Sequence, residues 1–109
     1  MDKNPIESLM QELKRGTLVL GVLSQLKEPL YGYSLVSSLS EKGMEIDKNT
    51  LYPLLRRLES QELLESEWNV EESRPRRYYK LSDKGLRVLS QLAQEWENLN
   101  DTIMKLLED

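Results

Sequence analysis

The chain has 109 residues, enough for one domain, with 39% hydrophobic and 31% charged side chains and a formal net charge of −4, the composition of a soluble globular protein. It contains neither cysteine nor histidine, which removes disulfides, thiolate chemistry, the usual zinc ligands and the Ser-His and Cys-His nucleophile pairs. No apolar run approaches the roughly 18 residues of a membrane span, and the opening MDKNPIESLMQELKRG has no apolar signal segment. A cytoplasmic, non-enzymatic protein with no cofactor, no metal and no membrane partner is expected.

In chain order, Asn4-Pro5-Ile6-Glu7 combines an N-cap, a proline suited to a first helical position and an acid where a capping box needs one. Ile6, Leu9, Met10 and Leu13 then recur at helical spacing. The denser run LVLGVLSQL (18–26) reads as a buried continuation, ended by Pro29. Gly16 and Gly21 mark either a break or a close helix contact, which the spacing leaves open. LYGYSLVSSLSEKG (30–43) predicts a second short helix with Leu35, Val36 and Leu39 inward and Gly43 as its stop. Asp47 is a natural N-cap for a third helix, whose Leu51, Leu54, Leu55 and Leu58 form an apolar stripe. Its opposite face carries Asn49, Thr50, Pro53, Arg56 and Arg57, with Pro53 awkward inside the helix.

The period then changes to 2: Leu64, Ser66, Trp68 and Val70 alternate with Glu65, Glu67, Asn69 and Glu71, predicting a strand with one polar face. Residues 72–75 read as a turn around Pro75, and Arg77 to Leu81 as the returning strand of a hairpin. Ser82 caps a final helix with Asp83 in its first turn. Along it Leu89, Leu92, Trp96, Leu99, Ile103 and Leu106 keep the heptad spacing of a coiled-coil seam, so this helix is expected to form a homodimer.

Charge is unevenly spread. Residues 1–47 hold 5 basic and 7 acidic side chains and residues 81–109 hold 3 and 6, but residues 48–80 hold 7 and 6. The basic residues of that middle part form two groups, one of Lys48, Arg56 and Arg57, the other of Arg74, Arg76, Arg77 and Lys80. A cationic face on an acidic body suits phosphate binding while limiting indiscriminate affinity.

Three short helices, a hairpin with a basic tip and a long helix make the order of a winged helix-turn-helix, mainly α with a β-hairpin wing. In such a fold the third helix enters the major groove of double-stranded DNA and the hairpin reaches flanking phosphate or the minor groove. Arginine, whose planar fork binds phosphate bidentately, suits that tip. The DNA-binding candidates are therefore Asn49, Thr50, Tyr52, Arg56 and Arg57 on the helix, and Arg74, Arg76, Arg77 and Lys80 on the wing. Tyr52 also suits a half-core position, and one or two of Arg77, Tyr78 and Tyr79 suit inward packing. Residues 1–82 form the expected DNA-binding domain and 83–109 the dimerisation helix.

The segments YGYSLVSSL (31–39), TLYPLLRRLESQELLES (50–66) and SRPRRYYKLSDKG (73–85), in this order and spacing, resemble the PadR family of bacterial transcriptional regulators. The single C-terminal helix is similar to the family's smaller subgroup, which includes multidrug sensors. The resemblance implies a homodimeric winged-helix protein that usually represses, and it raises a site in which Trp96 from both chains stacks a planar aromatic molecule. The seam places Trp96 midway along the final helix, with Met10 and Leu13 of the first helix expected nearby, and a large core residue of the seam is the alternative role for Trp96. Two departures stand out. Asp47-Lys48-Asn49 replaces a frequent Ser-Pro-Gly, so the operator sequence does not carry over, and Glu62 stands where the family often has glycine at the helix stop. A winged-helix module for protein contact alone is the alternative reading.

Overall fold

The computed structural model describes residues 4–71 and 75–108. Helix α1 (Pro5–Arg15) starts as its sequence predicts: the Asn4 side chain accepts from the Ile6 N–H, with Pro5 at the first position. The chain breaks at Gly16 and Thr17 before α2 (Leu18–Ser24). Gly21 serves the other purpose, close contact, since a Cβ there would lie 2.6 Å from the Met44 sulfur.

A feature absent from the sequence reading follows, the two-residue strand β1 (Leu30–Tyr31). Helix α3 (Gly32–Glu41) ends where the Gly43 signal lies. Gly43 has φ +99, and the Met44 N–H reaches back to the Leu39 carbonyl at 2.8 Å, closing a Schellman turn. Helix α4 (Lys48–Ser60) is capped by the Asp47 carboxylate, which accepts from the Thr50 N–H at 2.9 Å. It runs through Pro53, whose missing N–H leaves the Asn49 carbonyl without its helical donor on the exposed face, where solvent reaches it. Glu62 terminates α4 with φ 66, the left-handed conformation usually taken by glycine. The Leu63 N–H bonds to the Leu58 carbonyl at 3.0 Å, so the Schellman stop forms with glutamate in glycine's place.

Strands β2 (Leu64–Asn69) and β3 (Arg76–Leu81) pair antiparallel, from Leu64 opposite Leu81 to Asn69 opposite Arg76. β1 pairs with the other edge of β3, giving the order β1-β3-β2. The alternation read along residues 64–71 holds at its start only. Leu64 is buried and Ser66 half-buried, but Trp68 and Val70 are exposed, because the hairpin extends past the helices that cover its base. Most of the expected turn at 72–75 lies outside the described residues.

Helix α5 (Asp83–Leu107) is capped by Ser82, whose hydroxyl accepts from the Gly85 N–H. Its first turn is joined to the end of α4. The Ser82 N–H donates to the Leu63 carbonyl, the Ser82 hydroxyl to the Glu62 carbonyl, and the Lys84 ammonium to the Gln61 carbonyl. Gly85 lies so close to Leu63 that a Cβ would come within 2.1 Å of its carbonyl oxygen.

The core gathers Val22, Leu23 and Leu26 from α2 and its exit, Leu35 and Leu39 from α3, Leu51, Leu55 and Leu58 from α4, and Leu64, Tyr79 and Leu81 from the sheet. Leu89 of α5 joins it and Leu92 packs on its edge. The first heptad positions are thus covered, wholly or in part, within the chain itself. Leu89, only 8% exposed, is covered by its own chain, because the first half of α5 lies against α2. Beyond it the stripe emerges: Trp96, Leu99, Ile103 and Leu106 are 46–73% exposed. Helix α1 buries no residue, leaving Ile6, Leu9, Met10 and Leu13 exposed. Among the described residues no helix is long and apolar enough to cross a membrane.

Candidate nucleic-acid interface

The three buried leucines of α4 fix which residues face away from the domain. Consecutive residues of a helix point about 100° apart, so Asn49 and Pro53 stand opposite the core while Arg56 and Arg57 diverge to either side. Asn49, Thr50, Arg56 and Arg57 are all exposed. Thr50, Pro53, Leu54 and Arg57 border a groove of about 470 Å³ against Arg15, Leu18 and Val19. Arg56 instead borders a cleft of about 320 Å³ facing the wing. Tyr52 is half-buried and less available than its neighbours: its ring lies over Gly32, where a Cβ would come within 2.5 Å of a ring carbon.

The cleft between α4 and the wing is built from aromatic rings and arginines: Tyr33, Tyr52, Arg56, Trp68, Arg76 and Arg77 all border it. Tyr31 and Tyr33, flanking the start of α3, stack with centroids 5.8 Å apart and planes 4° from parallel. The Arg76 guanidinium lies over both rings, 5.7 and 5.1 Å from their centroids, and donates to the Tyr33 hydroxyl. Nothing local in the sequence joins these tyrosines to Arg76, because Tyr33 and Arg76 lie 43 positions apart. Tyr31 also edges onto Tyr78, and its hydroxyl accepts from the Asn69 side chain. The Tyr78 hydroxyl donates to Glu67, and this bond raises the phenol's pKa above its ordinary value. Tyr79 packs into the core, where burial raises its pKa.

The four wing cations have different surroundings. Lys80 is exposed, Arg74 lies outside the described residues, and Arg76 sits on the tyrosine pair. Arg77 turns toward the domain, where it pairs with Glu59 of α4 at 3.0 Å and donates through Nε to Ser66 at 2.9 Å.

A second feature lies on the far side. Leu13, Lys14, Gly16 and Thr17 at the end of α1 and Trp96, Leu99, Asn100 and Ile103 of α5 border a groove of about 530 Å³. It contains Trp96 and Leu13 of the sequence-derived set, while Met10 is exposed on α1 and does not border it.

A trihelical core with a three-stranded sheet, an exposed polar face on α4 and a hairpin beside it defines a winged-helix protein, here extended by a long C-terminal helix. Residues 19–91 match the family of PadR-like transcriptional regulators. The chain is similar to a PadR family transcriptional regulator from Eggerthella lenta, whose crystal structure superposes with a TM-score of 0.90 at 57% identity, covering 94% of this chain and 92% of that one. A PadR-like regulator from Bacillus cereus superposes with a TM-score of 0.79 at 30% identity, covering 90% and 98%. The transcriptional regulator Rv3488 of Mycobacterium tuberculosis is 34% identical over 91 residues, 83% of this chain and 85% of that protein. The chain belongs to the PadR-like family of transcriptional regulators, a family of DNA-binding proteins.

Proposed function

We propose that the chain is a ligand-responsive repressor that binds a pseudo-palindromic operator in double-stranded DNA as a homodimer. The observation that carries the DNA reading is the pairing of Arg56 of α4 and Arg76 of the wing across one aromatic cleft. Asn49, Thr50, Arg56 and Arg57 enter the major groove, where an arginine fork reads guanine edges, and Tyr52 supports them from beneath. Arg74, Arg76 and Lys80 take phosphate oxygens, a contact that positions without specifying.

Two copies associate through the exposed part of the α5 stripe, and that association supplies the two-fold spacing a palindrome needs. Six large apolar side chains exposed on one helix, from Trp96 to Leu107, favour a protein partner over water. A planar aromatic molecule stacks on Trp96 and controls DNA affinity to the extent that it prefers one spacing of the two wings. The mouth of the groove beside Trp96 supports this reading.

The test is fluorescence anisotropy of a labelled duplex from the region upstream of the chain's own gene, against a scrambled duplex, across a salt series. The upstream duplex is expected to bind more tightly at every salt concentration. Arg56→Ala should remove about 1–3 kcal/mol of that preference. Equal affinity for both duplexes would refute the reading.

A further inference from the structure

We propose that Arg77 is a positioning residue that pins the wing to α4, and that this pin, rather than a phosphate contact, is its part in DNA binding. The inference rests on the DNA reading above and assigns a different role to one of the residues drawn into it.

The geometry gathers three elements on one guanidinium. From β3, Arg77 Nη2 donates to both carboxylate oxygens of Glu59 in the last turn of α4, at 3.0 and 3.3 Å. Its Nε donates to the Ser66 hydroxyl of β2 at 2.9 Å. That hydroxyl in turn donates to Glu59 at 2.5 Å, closing a three-residue ring of hydrogen bonds. The guanidinium also lies 5.8 Å from the Trp68 ring centroid and 5.7 Å from that of Tyr79. Glu59 and Arg77 side chains are only 28% and 37% exposed.

Two consequences follow. A carboxylate within 3.0 Å of the guanidinium repels any phosphate that approaches the same group and neutralises the charge it would bring. The pair also ties the end of α4 to both wing strands, while Arg56 stands less than one turn earlier on that helix. Arg77 and Glu59 thereby set the separation of Arg56 and Arg76 across the cleft. Arginine suits the role because its fork engages two partners in one plane, which a lysine cannot do.

The experiment uses the full chain and the upstream duplex, with the apparent affinity followed over a salt series. Arg77→Ala and Glu59→Gln should each weaken binding about tenfold with the slope of log K against log salt unchanged. The double variant should be no more than about twofold weaker than the weaker single one, because both break the same pin. Arg77→Lys should behave like Arg77→Ala. Three results would overturn the proposal. One is a slope reduced by about 0.9 in Arg77→Ala, the signature of one lost phosphate contact. Another is unchanged or tighter binding by Glu59→Gln, as expected if the carboxylate only restrains a DNA-binding arginine. The third is full affinity in Arg77→Lys.

Glu59→Gln retains an acceptor for Ser66, so it reports even if Arg77→Ala folds poorly. Should the wild-type chain bind no duplex, the DNA reading fails while the pin remains measurable. In a Trp96→Phe background Arg77→Ala should change the emission of Trp68, and an unchanged spectrum would refute the pin by itself.

Discussion

Replacing Gly85 by alanine should destabilise the fold by about 2 kcal/mol, opposite to the direction given by helix propensity. Within a helix alanine is favoured over glycine by roughly 1 kcal/mol. Here the new Cβ would lie 2.1 Å from the Leu63 carbonyl oxygen and 3.1 Å from its carbon, more than 1 Å short of ordinary contact at the oxygen. The obstacle is backbone. It is held by the Leu63 N–H on Leu58 and by the Ser82 N–H on Leu63, at 3.0 and 3.1 Å, so no side-chain rotation relieves it. Overpacking costs typically 1–3 kcal/mol. A fixed obstacle sets the value near 3, from which the propensity gain subtracts about 1. For a chain of this size the melting temperature should fall by on the order of 10 °C. Circular dichroism melts of wild type and Gly85→Ala at equal protomer concentration measure it. An equal or higher melting temperature in the variant would mean that α5 does not start against Leu63 as described.

Glu62→Gly should do the reverse: relief of the left-handed conformation, worth roughly 1–2 kcal/mol, outweighs the greater freedom of the unfolded chain, raising the melting temperature by a few degrees. Leu99→Asp should yield a protomer by light scattering at micromolar concentration where wild type gives a dimer, and a wild-type protomer there would refute the homodimer. Planar cationic dyes should quench the tryptophan emission of wild type but not of Trp96→Ala, with Trp68 contributing an unquenched background. Equal quenching in both would remove the ligand site. Tyr78 and Tyr79 both have folded-state pKa values above 10.0, so any stability they lend is complete below about pH 10 and is lost as pH rises through the folded values. In an ultraviolet difference titration Tyr78 and Tyr79 should ionise above the ordinary value of 10.0, and their ionisation at or below it would contradict the hydrogen bond to Glu67 and the burial of Tyr79.

Local chemistry was the legible part of this chain. Asn4, Asp47 and Ser82 each cap the helix they precede, and Gly43 takes the positive φ that ends α3, because caps and stops depend on a few adjacent residues. The apolar stripe of α4 carried its own orientation, since Leu51, Leu55 and Leu58 recur at the helical period and are buried. What escaped reading depends on partners distant in sequence. The strand Leu30–Tyr31 is too short to show a period and exists through pairing with Tyr78 and Tyr79. Periodicity in α5 exposed an apolar stripe without saying what covers it, so Leu89 and Trp96 looked equivalent although one is buried by α2 and the other is not. A run of cations at the wing gave no hint that Arg77 belongs with Glu59, 18 residues earlier.

The position of β2 at the rim of the sheet bears on how this protein behaves when concentrated. One side of that strand is paired with β3 and the other offers its backbone to any passing strand, including the same strand of another molecule. If two copies zipped together antiparallel about Ser66, each Glu65 would stand opposite a Glu67, setting four exposed carboxylates side by side. Like charges directly across a ladder disfavour pairing. The acidic residues that dilute the positive charge of this region thus keep its open strand from recruiting its own kind, and a chain with threonine at both positions would be the one to precipitate.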